Sequence, residues 1–186
     1  MSADLKLVKL VKKGKPAAMG KLYDKYAKEI YKFVFYKTMH KEIAEDLTSK
    51  IFLKVLKKID IFDSKKSAFR TWLYNVARYT VIDYYRVKKS NSDIDDFWDL
   101  SSSEDVEAKI HNKVEIEKIK EFLQKLSSDQ REIVLLRLWQ DLSYKEIAAV
   151  MGKNEGACKM AYSRAMKMIR DNYAVYFLLL WFINKI

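Results

Sequence analysis

From Ile61 to Lys89 the chain reads IFDSKKSAFRTWLYNVARYTVIDYYRVKK, a run in which cations and flat rings alternate. Lys65, Lys66, Arg70, Arg78, Arg86 and Lys89 could hold phosphates. Trp72, Tyr79 and Tyr85 could stack on bases that have left a duplex. The chemistry predicted is the handling of DNA by binding alone. No nucleophile–base pair, glycine-rich phosphate loop or paired-carboxylate motif is singled out anywhere in the sequence. The chain is therefore not expected to be an enzyme. His40 and His111 are isolated, without cysteine or carboxylate partners at ligand spacing, so no metal and no other cofactor is expected.

A helix must position these groups. Phe69, Trp72, Leu73, Val76, Ala77, Thr80 and Tyr84 recur at steps of three and four, which predicts one buried face. At 100° per residue the opposite face carries Thr71, Asn75, Arg78, Ile82, Tyr85 and Lys89. Tyr79 and Arg86 flank that outer face, and a short polar loop, Asp63 to Ser67, opens the helix. Phe69 reads as core, Trp72 more as core than as a base contact, and Asp83 as a partner in an internal hydrogen bond or ion pair.

The whole chain supports that setting. Its 186 residues include only 4 Gly and 1 Pro, with no long alternating apolar stretch, which predicts an all-α protein of one or two small domains. The net charge of +11 points to a polyanionic partner, nucleic acid or an anionic membrane. Charge is uneven: residues 1–89 carry +13, residues 90–108 carry −7, and residues 109–186 carry +5. The Ser/Asp-rich middle reads as a linker between two basic helical domains, 1–89 and 109–172. A single cysteine, Cys158, excludes a disulfide framework and suits the cytoplasm; its place in the pattern is core. No signal peptide and no membrane-spanning run is evident, since the longest apolar stretch, Tyr173 to Ile183, stops at eleven residues.

Taken in order, helices are expected at Leu5 to Lys12, Ala17 to Thr38 and Lys41 to Lys58, with Gly14 as a stop and Pro16 in a first turn. A helix with Val114, Ile119, Phe122, Leu123 and Leu126 at its core begins the second domain. Two S-x-x-[EQ] capping boxes follow, Ser127/Gln130 and Ser143/Glu146, opening helices from Asp129 to Trp139 and from Tyr144 to Met151. Gly152 fits a turn, and Asn154 caps a long basic helix ending near Asn172. The last two helices form a helix-turn-helix pattern, with Ile147, Ala148 and Val150 expected against Cys158, Tyr162 and Ala165. Its second helix would enter a major groove with Glu155, Gly156, Ala157, Lys159, Met160 and Ser163 nearest the bases. Arg164 and Lys167 would follow for phosphates.

With both halves in view, the chain resembles the group-4, extracytoplasmic-function sigma factors of bacterial RNA polymerase. GKPAAMGKLYDKYAKEIYKFV, AEDLTSKIFLKVLKK and SAFRTWLYNVARYTVIDYYRVKK resemble that family's region 2. LSSDQREIVLLRLWQDLSYKEIAAVMGKNEGACKMAYSRAMKMIR resembles its region 4. The resemblance implies that Asp46, Leu47, Lys50, Phe52 and Lys54 dock on core polymerase. It implies that the Phe62 to Ser67 loop, with Lys65, Lys66 and Arg70, takes a flipped base of the single-stranded −10 element. Thr71, Trp72, Asn75, Arg78, Tyr79 and Arg86 would line the strand path. Lys153, Glu155, Gly156, Ala157, Lys159, Met160, Ser163, Arg164 and Lys167 would meet the double-stranded −35 element. The acidic linker would thread toward the polymerase's RNA exit path, and an anti-sigma factor is a further partner class.

Four positions depart from the family pattern: Tyr79 replaces a usual Asn, Lys50 a frequent acid, and Ala157 and Met160 a Thr and a Ser. The rival readings are a free-standing helix-turn-helix regulator and a basic protein that coats nucleic acid. The apolar tail, residues 173–186, is expected to pack as a final helix on the second domain, or else to cover a polymerase or anti-sigma surface.

Overall fold

A computed structural model describes residues 2–38, 40–88, 123 and 125–171. The linker, the helix expected after Val106 and the apolar tail lie outside them, apart from Leu123 and Leu126, which are buried. Among the described residues all regular structure is helical, and the chain divides into two compact units.

The first unit opens with α1, Ala3–Lys12, capped by the Ser2 hydroxyl, which accepts from the Leu5 amide. Asp4 sits in its first turn, where a carboxylate suits the helix dipole, and ties α1 to α2. Its two oxygens accept from Lys25 Nζ (2.5 Å) and from the Tyr26 hydroxyl (2.6 Å). Gly14 takes φ +73°, a left-handed conformation that costs other residues more, and Pro16 starts α2, Pro16–Thr38. Burial of the Tyr26 ring, helped by the bond to Asp4, pushes its hydroxyl up to about 12.

α3, Lys41–Lys58, is capped by His40, whose Nδ1 accepts from the Ile43 amide. Ala44, Leu47, Ile51 and Val55 form its buried stripe, and a 3-10 turn, Ile59–Ile61, ends it. α4, Phe69–Lys88, packs against both α3 and α2. Its buried arc is therefore wider than one stripe: Phe69, Leu73, Tyr74, Ala77 and Val81 are all enclosed. Fully burying each large apolar side chain contributes roughly 1.5–3 kcal/mol.

After residue 125 come α5 (Ser128–Val134), a π-helical segment (Leu135–Trp139), α6 (Tyr144–Met151) and α7 (Glu155–Arg170). Both expected capping boxes form. Ser127 and Gln130 exchange bonds of 3.3 and 2.9 Å, and Ser143 and Glu146 do the same at 3.3 and 2.9 Å. The regular helix expected up to Trp139 widens into the π segment, after which Asp141 takes φ +47°. Arg137 secures that corner by donating to the Leu142 carbonyl at 3.0 Å. Gly152 turns the chain at φ +66°, and Asn154 Oδ1 caps α7 through the Ala157 amide at 2.7 Å.

Candidate nucleic-acid interface

The loop before α4 is organised by Asp63. Its Oδ1 accepts from the Lys65 amide (2.9 Å) and its carbonyl from the amides of Lys66 (3.1 Å) and Ser67 (3.4 Å). This turn leaves Lys65 and Lys66 exposed at the tip. Phe62 does not join them. It is 5% exposed, with its ring 5.7 Å from Phe69 and 5.3 Å from Trp72. The expectation of a DNA-facing Phe62 is thus corrected: an aromatic at the loop's root gains more by joining the core, and there it anchors the loop. Trp72 shares this cluster and is half-buried.

Along α4, Thr71 is also corrected from strand contact to core, at 4% exposure, because α4 has helices on two sides. Arg70 is only partly available. Its Nη2 lies 3.2 Å from Glu29 Oε2 on α2, and the same oxygen accepts from the Tyr74 hydroxyl at 3.3 Å. Tyr79 and Arg86 stand outside the core; Tyr79 is 56% exposed with Arg78 Cζ 5.5 Å from its ring centre. Asn75 is half-buried, and its Oδ1 has no hydrogen-bond partner among the described residues. Asp83 does form the expected ion pair, 3.4 Å from Lys54 Nζ, but on an exposed face.

That ion pair crosses a groove of about 480 Å³ between α3 and α4. Leu47, Lys50, Leu53 and Lys54 line one wall, Thr80, Asp83, Tyr84 and Val87 the other. Of the residues expected to dock on a protein partner, Asp46 and Lys50 are exposed and paired with each other at 2.5 Å. Phe52 is buried edge-on to Tyr23, so it is corrected from contact to scaffold, and Leu47 shows only the side that lines the groove. Sequence reasoning passed over Leu53 and Leu56, 58% and 46% exposed. Their signal was available: both are apolar yet stand off the buried stripe of their helix.

On α7 every residue expected near bases is exposed, from Glu155, Gly156 and Ala157 through Lys159, Met160 and Ser163, and so are Arg164 and Lys167. Lys159 pairs with Glu155 at 3.0 Å and lies over the Tyr144 ring. Lys153 is held by Asp129. Cys158, Ala165 and Ile169 form the inner face, and burial pushes the Cys158 thiol up. α5 packs directly on α7, and Tyr144 of α6 meets Tyr162 at 5.8 Å. Ile147, Ala148 and Val150 are buried as expected. Among the described residues no group of His, Cys, Asp and Glu is placed to hold a metal, and no helix is long and apolar enough to cross a membrane.

These two surfaces coincide with two family descriptions. Residues 22–91 match "Sigma-70 region 2", and residues 116–169 match "Sigma-70, region 4". The chain belongs to the sigma-70 family. Within it, the similar proteins BldN, SigX and SigM are ECF RNA polymerase sigma factors. The chain is 33% identical to the ECF RNA polymerase sigma factor BldN of Streptomyces coelicolor over 89% of its own length, and spans 64% of that longer protein. It is 32% identical to the RNA polymerase sigma factor YlaC of Bacillus subtilis, over 81% of this chain and 89% of the relative. In fold it is similar to CnrH, solved with the cytosolic domain of CnrY, at a TM-score of 0.73 and 20% identity, covering 92% of this sigma factor and 97% of that chain.

Proposed function

We propose that this sigma factor binds core RNA polymerase, sets α7 in the −35 major groove, and captures the unpaired −10 strand on α4 and the Asp63–Ser67 loop. Residues 1–89 would bind polymerase and open the −10 element, residues 90–108 would connect, and residues 109–172 would read the −35 element. The chain would work in the cytoplasm.

The single observation that carries this is that one chain combines an α7 exposed along the residues expected near bases with an α4 on which Tyr79 and Arg86 stand exposed outside a closed core. A duplex-binding regulator accounts for the first and leaves the second without work. Base contacts from α7 would specify sequence while Arg164 and Lys167 hold phosphate. At the −10 element, unstacking costs a few kcal/mol per base. Stacking on an aromatic ring returns about 1–3 kcal/mol each, and polymerase contacts supply the remainder. Strand separation then needs binding energy alone, with no nucleotide hydrolysed by this chain.

The α3–α4 groove suits the polymerase. Leu53 and Val87 offer apolar area, and Lys50, Lys54 and Lys57 give the rim its charge. An anti-sigma factor is the natural competitor for such a face; the solved relative RpoE of Bartonella quintana is in complex with the anti-sigma factor NepR. The test is run-off transcription by purified chain and core polymerase over a promoter library. Promoter-specific initiation is the expected result. Absence of both polymerase binding and initiation would overturn the reading.

A further inference from the structure

The loop that presents Lys65 and Lys66 has few supports of its own. Among the described residues the side chains of Lys65 and Lys66 make no hydrogen bond or ion pair, and Ile61, just before the loop, is 73% exposed. What holds its root comes from a distant part of the chain. Lys12, in the last turn of α1, extends its Nζ to two backbone carbonyls, donating to Asp60 O at 2.9 Å and to Phe62 O at 2.8 Å. The Phe62 amide donates in turn to the Ile59 carbonyl at 3.1 Å. The peptide groups on both sides of Phe62 are thereby tied, immediately ahead of the Asp63 turn. A cation at this place also meets the carbonyls left over where α3 and its 3-10 turn end.

From this geometry we infer that Lys12 is a positioning residue for single-strand capture, with α1 acting through it as a brace on the −10 loop. The inference rests on the reading that this loop takes up a −10 base. It is not contained in the family match, since α1 precedes the region-2 residues, 22–91. Lys12 does not line the α3–α4 groove and does not belong to α7. Its loss acts on one step only. A loop that samples several shapes binds a strand in proportion to the fraction that is competent. Charge-assisted bonds to two carbonyls, one exposed and one part-buried, bias that fraction by about threefold to tenfold.

The test uses holoenzyme carrying Lys12→Met or Lys12→Arg. The probe is the labelled non-template strand, −10 element included, of a promoter that the wild-type holoenzyme transcribes. Lys12→Met is expected to bind this strand about threefold to tenfold more weakly, with unchanged affinity for core polymerase and for a −35 duplex. Lys12→Arg, which keeps charge and several N–H donors, is expected to recover most of the loss. Hydrogen exchange of free Lys12→Met should quicken at the amides of Phe62, Lys65, Lys66 and Ser67 and stay unchanged at Ile51 and Val55 in α3. Wild-type strand affinity in Lys12→Met would overturn the inference, as would a loss shared equally by the −35 duplex and the polymerase, or uniformly faster exchange. Lys65→Ala/Lys66→Ala separates the two levels. If that double variant binds the strand normally, the loop reading itself fails and the brace falls with it. If it is impaired while Lys12→Met is not, only the brace fails.

Discussion

Arg78 Cζ lies 5.5 Å from the ring centre of its neighbour Tyr79, a ring that is 56% exposed at the surface of α4. An exposed aromatic beside a cation has little to contribute to folding. Tyr79→Ala should shift stability by no more than about 0.5 kcal/mol. Loss of a stacking surface should cost about 1–3 kcal/mol in the open complex. Permanganate footprinting of the −10 region and a polymerase-binding assay on the same variant check both halves. Equal open-complex formation would remove Tyr79 from the site.

Arg70 should behave as a structural residue. Its pair with Glu29 joins α4 to α2 at 3.2 Å, and both groups are partly exposed, which limits the coupling to about 0.5–1 kcal/mol. Urea unfolding of Arg70→Ala, Glu29→Gln and the double variant gives that coupling as a double-mutant cycle. Additive effects in the cycle would show that the pair contributes nothing and return Arg70 to the cations available to DNA.

On α7, Arg164 and Lys167 are expected to contact phosphate. Each substitution by Ala should weaken −35 duplex binding by holoenzyme about equally for matched and mismatched sequences. Each should also flatten the salt dependence by about 0.9 for every phosphate the variant no longer neutralises. Met160→Ala should instead change the ranking among sequences. Fluorescence titrations across a salt series distinguish the two patterns.

Alkaline pH should loosen the first unit. The Tyr26 hydroxyl is held protonated in the folded chain, its value raised from 10.0 to about 12 chiefly by burial. A raised folded value means stability that is complete below about pH 10 and is lost as pH climbs toward about 12. Denaturant midpoints measured across that window should fall, and Tyr26→Phe should reduce the fall.

The helices and their ends were legible from local signals. Ser127, Ser143 and Asn154 cap where their spacing predicted, because a cap needs only its own first turn. The exposed arc of α7 was legible for the same reason. α4 was less so. A one-stripe reading left Thr71 and Tyr85 on the outer face. In the fold Thr71 is buried, and the Tyr85 hydroxyl reaches the Lys37 carbonyl at 3.1 Å. Periodicity locates a buried face but not its width, which depends on how many neighbours the helix has.

The sequence by itself determined an all-α chain, its helix caps, the helix-turn-helix and the family, all of which depend on short-range spacing or ordered motifs. Only the tertiary structure decided which polar and aromatic groups remain exposed. Glu29 lies 41 residues from Arg70, and Lys12 lies 48 and 50 residues from the carbonyls it ties. Such pairings are set by the packing of α1, α2 and α4, not by spacing along the chain. That packing took Phe62 and Thr71 into the core, engaged Arg70, and left Lys65, Lys66, Tyr79 and Arg86 facing outward.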